Sequence, residues 1–129
     1  MFKIEVCPPR QIVLIRFSGE LGESQLATLD GMGKERQGGP EFDVVFDMTA
    51  VDKADIATDF IARRGDQPPV FRDRDRIFVV PRDDLRLLIR LFAGYQFARG
   101  WRSPLVVETL AEAFTHLGVT ESDFLPFAG

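Results

Sequence analysis

The run Arg76-Ile77-Phe78-Val79-Val80-Pro81-Arg82-Asp83-Asp84-Leu85-Arg86-Leu87-Leu88-Ile89 decides the fold class. Ile77 to Val80 is apolar without a break, which is how a strand reads when both its faces are covered. Pro81 stops that strand and can begin a helix, where its missing N–H removes no hydrogen bond. Asp83 and Asp84 then fall in the first helical turn, at the positive end of the helix dipole. The apolar spacing carries this helix to about Ala98. A buried strand leading straight into a long helix is a unit of an α/β sheet.

The flanking segments repeat the unit. On the N-terminal side, Phe42 to Phe46 is a second nearly continuous apolar strand. Asp47 ends it, Met48 to Lys53 reads as a loop, and a helix is expected from Ala54 to Arg64. Gly65 to Pro69 is a connector that its prolines keep extended. Further back, a helix fits Glu23 to about Lys34, ending in the turn Gln37-Gly38-Gly39-Pro40. Phe2 to Val6 alternates apolar and polar, and Ile12 to Phe17 is rich in β-branched residues. The break Cys7-Pro8-Pro9-Arg10 between them suggests an antiparallel hairpin. On the C-terminal side, Leu105 to Val107 is a short strand. Thr109 and Glu112 form a capping box that opens a last helix, ending near Gly118. The order β-β-α-β-α-β-α-β-α predicts a mostly parallel sheet with an N-terminal antiparallel hairpin and about four helices.

Composition agrees. The 129 residues are 45% hydrophobic and 28% charged, with a mean hydropathy of −0.04. That is the size and balance of one domain spanning 1–129, able to fold without disulfide or metal. One cysteine, Cys7, and one histidine, His116, cannot supply the four ligands of a structural zinc site. No cofactor is implied. The N-terminus has no apolar signal region and the longest apolar runs are four residues, so no membrane span and a cytoplasmic location are expected.

The net charge of −4 is uneven. Residues 61–102 hold 10 arginines, no lysine and 5 acids. Arginine pairs in fork geometry with carboxylate and phosphate, so this island is either a solvated ion-paired surface or an anion or partner site. Arg82, Arg86 and Arg90 recur at helical spacing on one face and are the anion-binding candidates, with Arg72, Arg74 and Arg76 nearby in sequence. A sequence pI near 5.0 and the lack of a basic aromatic sheet motif argue against nucleic acid.

Four pieces resemble the SpoIIAA-like or STAS-like family, sometimes grouped with Sec14-like domains. Ile12 to Leu21 is similar to that family's second strand and exit turn. Val44 to Thr49 is similar to its central strand end, and Arg76 to Leu85 to its fourth strand and third helix. Val106-Val107 with Leu110 to Phe114 is similar to its last segment. The resemblance implies a small regulatory module that acts by binding, with a switch loop formed here by Asp47, Thr49, Asp55 and Thr58. The family's phosphorylated serine falls on Ile56 or Ala57, which have no hydroxyl. Thr58 is expected one or two positions deeper, inside the helix, so the phosphate switch is expected to be absent.

Catalytic sets are thin. Asp47, Asp52, Asp55 and Asp59 are the densest acids, but a Mg²⁺ site needs converging carboxylates. Gly31-Met32-Gly33-Lys34 lacks the phosphate-loop spacing, and no elbow nucleophile accompanies His116. A non-enzymatic interaction module is therefore one expectation. The 83–98 helix is apolar over more than half its circumference, wider than an ordinary surface helix needs. Leu87, Leu91 and Tyr95 form its second apolar face and are the interface candidates. The rest of the fold, a second copy in a homodimer, the Phe124–Phe127 tail or an apolar ligand could each cover them. A small amphipathic or anionic ligand, such as a lipid or acyl carboxylate, is the alternative reading.

Overall fold

Two long strands, β2 (Ile12–Gly22) and β3 (Asp43–Asp55), form the axis of the molecule and run parallel along their whole length. The computed structural model describes residues 1–127. β1 (Phe2–Cys7) folds back antiparallel on β2, pairing Phe2 with Phe17 and Cys7 with Ile12. β4 (Arg76–Val79) and β5 (Leu105–Val107) add in parallel beyond β3. A two-residue strand, β6 (Leu125–Pro126), returns antiparallel to β1. The sheet order is β5-β4-β3-β2-β1-β6. The expected α/β architecture, mostly parallel with an antiparallel hairpin and four helices, is the one observed.

The helices are α1 (Glu23–Glu35), α2 (Thr58–Gly65), α3 (Asp83–Ala98) and α4 (Leu110–Leu117). α1, α2 and α3 cover one face, where Ile15, Phe17, Met48, Phe78, Leu85 and Ile89 are buried together. α4 covers the other, over Leu14, Val45, Ile77 and Val79. That division explains the unbroken apolar runs, because successive side chains enter opposite cores. The capping box at α4 is present: the Thr109 hydroxyl accepts from the Glu112 amide at 3.2 Å. Gly118 ends the helix in the left-handed region, at φ 71°. Among the described residues, no helix is long and apolar enough to cross a membrane.

Three boundaries depart from the sequence reading. β2 does not stop at Phe17, and Met48 to Lys53 is strand rather than loop. The two segments pair with each other from Ser18 to Gly22 and Ala50 to Asp55, past two register shifts. Partner strands supply the hydrogen bonds that local composition does not advertise, and Leu21, Met48 and Val51 anchor the extension in the core. The second helix accordingly starts at Thr58, not Ala54. β6 has no sequence signature of its own, since one of its two residues is a proline tolerated only at an edge.

α2 and α3 meet at Gly65. A Cβ built there would lie 2.4 Å from the Tyr95 Cβ, which is fixed to the α3 backbone and cannot swing away. Gly65→Ala is expected to force the helices apart and lower stability by about 1–3 kcal/mol. A urea melt of the variant with an unchanged midpoint would contradict this packing.

Candidate functional site

A concave feature lies on the three-helix face, at the amino-terminal ends of the parallel strands. It is a cavity of about 310 Å³. Ile4, Val6, Val13, Ile15, Val44 and Phe46 give it an apolar floor from three strands. Leu29, Met32 and Gly33 of α1 form one wall, and Phe92 and Gln96 of α3 another. Pro68 to Phe71, from the connector between α2 and β4, line it as well, and so does Phe127 of the tail. The connector can approach α1 because residue 33 is glycine: a Cβ there would fall 2.8 Å from a Val70 methyl. The main-chain N–H of Phe127 donates to the Ile4 carbonyl at 2.9 Å, and the Arg36 guanidinium sits 5.0 Å from the Phe127 ring centroid.

The polar lining is concentrated and cationic. Arg64 is held by Asp30 through two bonds, Nε–Oδ2 at 3.1 Å and Nη2–Oδ1 at 2.6 Å. Arg76 opens β4 and faces the same side as Phe78, two residues on. Its Nη1 donates to Gln96 Oε1 at 2.9 Å and its Nη2 to the Arg102 carbonyl. Among the described residues no carboxylate lies within ion-pair distance of Arg76. Desolvation, with repulsion from Arg64, pushes its guanidinium down to about 10. It is still a cation at neutral pH, held in surroundings that disfavour its charge. Lys34 and Arg36 also line the cavity.

Gln96 is fully buried and holds this corner together. Its Nε2 donates to the carbonyls of Gly65, at 2.7 Å, and Gln67, at 2.9 Å. One amide thus ties α3 to the end of α2, to the connector and to β4.

Of the residues named from sequence, Arg76 and Phe127 line the cavity, and the switch-loop, helix-face arginine and interface candidates lie elsewhere. Asp47 is buried on the α4 face, where its Oδ1 accepts from the Thr49 amide at 3.0 Å and its Oδ2 lies 3.9 Å from Arg16 Nε. Because β3 continues to Asp55, eight extended residues put roughly 25 Å between Asp47 and Asp55. The four switch-loop candidates therefore form no single loop. Thr58 departs from expectation in the other direction. It is the first residue of α2, exposed at the helix mouth, and Ala57 precedes it as the cap. A hydroxyl does stand at that mouth.

Arg82, Arg86 and Arg90 do not converge on an anion site. Arg82 forks onto Asp84 at 3.1 and 2.8 Å, and this hydrogen bond holds the Asp84 carboxyl below its ordinary range. Its Nη1 donates to the Asp52 carbonyl. Arg86 donates to the carbonyls of Val80 and Pro81 and pairs with Asp83 at 3.2 Å and Glu108 at 3.5 Å. Arg90 is exposed on the outer side of α3. The first two close the turn that starts α3, a use for arginine that spacing alone does not distinguish from ligand binding.

Of the interface candidates, Leu87 and Leu91 are exposed, at 69% and 39%. Tyr95 is half-buried against Gly65 of α2 and belongs to the helix–helix contact. Phe97, 75% exposed, is the apolar side chain the helical reading left out. The tail does not cover α3: Phe124 stacks on Phe114 of α4, ring centroids 5.5 Å apart, and Phe127 lines the cavity. Among the described residues no group of three or more His, Cys, Asp or Glu could hold a metal ion.

The cavity's signal in sequence is one residue, an arginine at the inward position of a buried strand. Its lining comes from β1 to β4, α1 to α3, the connector and the tail, which only folding brings together. Gln96→Leu keeps the volume but leaves two carbonyls and the Arg76 donor without their partner. It is expected to lower unfolding free energy by about 3 kcal/mol, read by guanidinium denaturation; a loss under about 0.5 kcal/mol would remove Gln96 from its structural role.

No protein-family model matches the chain, and no curated protein matches it.

Proposed function

We propose that the protein is a binding domain for a small amphipathic molecule, held in the cavity between the sheet, α1, α3 and the α2–β4 connector. The single observation that carries this reading is the cavity itself, apolar on its floor with Arg64, Arg76 and Gln96 grouped at the β4 end and Arg36 at the tail end. Small-molecule sites have this make-up and start at roughly this size. At about 30 Å³ per water the space equals about ten waters, so a body of about ten non-hydrogen atoms fills it. The site needs no reacting group, so binding rather than turnover is the proposed role. Such a domain would store, carry or sense its occupant.

Native mass spectrometry of gently purified protein is expected to show an added mass that denaturation releases. A titration with a ten-carbon probe is expected to saturate at one per chain and to raise stability by about 2.7 kcal/mol at a free concentration 100 times Kd. Val44→Phe, which fills the floor, is expected to abolish both effects while remaining folded. Apo protein that also takes up no probe would end this reading.

A second reading has its own observation. Leu87, Leu91 and Phe97 project from α3 into solvent, and exposed apolar groups gathered on one element are a mark of contact surfaces. We propose this surface as the site at which a regulatory module of STAS-like type would meet a protein partner or a second copy. Sedimentation that shows only monomer at high micromolar concentration would remove the homodimer from this reading.

A further inference from the structure

We infer that the occupant of the cavity is an anion with an apolar chain, a medium-chain carboxylate, and that Arg76 is the residue that selects its head group. This rests on the cavity being a ligand site and goes further, because it assigns the charge, the orientation and the selecting residue.

The first argument is charge. Among the described residues Asp30 is the one acid lining the cavity, against Lys34, Arg36, Arg64 and Arg76. In a chain of net charge −4, an apolar space ringed by three uncancelled positive charges is a local inversion. Such a field draws anions in and rejects neutral or cationic molecules of the same shape.

The second argument is pairing. Four nearby arginines each have an acid: Arg64 has Asp30, Arg74 has Asp43, Arg99 has Asp66 and Arg102 has Asp75, whereas Arg36 at the cavity's tail end stacks on the Phe127 ring. Arg76 is set deeper, half-buried beside Phe92, and has only two neutral oxygens as partners. A guanidinium carries five N–H donors in a planar fork. With two directions committed to Gln96 and Arg102, donors remain for a carboxylate on the cavity side. A buried charge without a counter-charge is costly, and an arriving anion supplies one. The Phe92 ring, 5.8 Å from the guanidinium carbons of both Arg64 and Arg76, gives the head group an apolar backing.

The third argument is direction. Arg64, Arg76 and Gln96 sit together where α2, α3 and β4 meet, while Val6, Val13 and Phe127 lie toward β1 and the tail. The head therefore docks at the β4 end and the chain runs across the floor toward β1.

Decanoate and decanol share a chain and differ in charge, so calorimetric titration of both into the full chain tests the inference. Decanoate is expected to bind about ten- to a hundredfold more tightly than decanol, the range for hydrogen bonds to a charged group. Arg76→Gln is expected to abolish that preference while changing decanol affinity by less than about threefold. Because the variant could fold poorly, the Arg76 side-chain Nε–H resonance of the unaltered protein gives an independent readout. It is expected to shift with decanoate and not with decanol. Equal affinities for the two probes, or a preference that survives in a folded Arg76→Gln, would overturn the inference and leave the cavity as a site for neutral molecules. Failure of both probes to bind would overturn the ligand reading beneath it.

Discussion

One buried amide carries much of the arrangement described above. Gln96 cannot reach water, so both ends of its side chain must find partners inside. It finds them on three elements at once, in the Gly65 and Gln67 carbonyls and the Arg76 guanidinium. The bonds to residues 65 and 67 pin the chain just as it leaves α2, and two residues on Pro69 is buried while Pro68 stays exposed. Without that pin the connector would not roof the cavity, and Arg76 would lose its one side-chain partner. Gly65 and Tyr95 allow it, by letting α2 and α3 come close enough for the amide to span them.

The two faces of the sheet are used differently. On the α4 face, rings and aliphatic chains close tightly: Phe114 stacks on Phe124, and Ile12, Leu14, Val45 and Val79 are all but inaccessible. Its charged groups form ion pairs, with Arg16 2.6 Å from Glu121 and 3.0 Å from Glu5, although the buried Arg16 Nε–H makes no hydrogen bond among the described residues. On the opposite face the packing is dense only toward the carboxyl ends of the strands, around Leu21, Met48, Ile61 and Ile89. Toward the amino ends a space remains between the sheet, α1, α3 and the α2–β4 connector, and that space is the cavity. Open parallel sheets usually place ligands at the carboxyl ends. Here β2 and β3 extend past their neighbours at that end and fill it, and the long connections enter at the other.

Arginine serves two purposes in the basic island. Arg82 and Arg86 tie backbone carbonyls and nearby acids around the start of α3, as structural cross-links. Arg76 is held by neutral acceptors in partly desolvated surroundings and keeps its charge uncompensated. Sequence spacing favours the first group, which recurs at helical intervals, and names Arg76 only as one of three arginines near it. Burial and the absence of a counter-ion separate them, and both are properties of the folded chain.

What the sequence by itself determined was the layer plan. Unbroken apolar runs at Val44 and Ile77, a proline stop at Pro81 and a capping box at Thr109 each reflect local chemistry, which acts over a turn or a strand. They were enough to order the hairpin, the parallel strands and the four helices. The tertiary structure alone decided how far β2 and β3 continue, where α2 begins, that a tail strand returns to β1, and that segments distant in sequence enclose a cavity around an arginine with no acid partner among the described residues. Those outcomes depend on partners many residues away. Strand pairing, the enclosure of a cavity and the desolvation of a charge are set by what lies across a gap in space, and no local pattern records that.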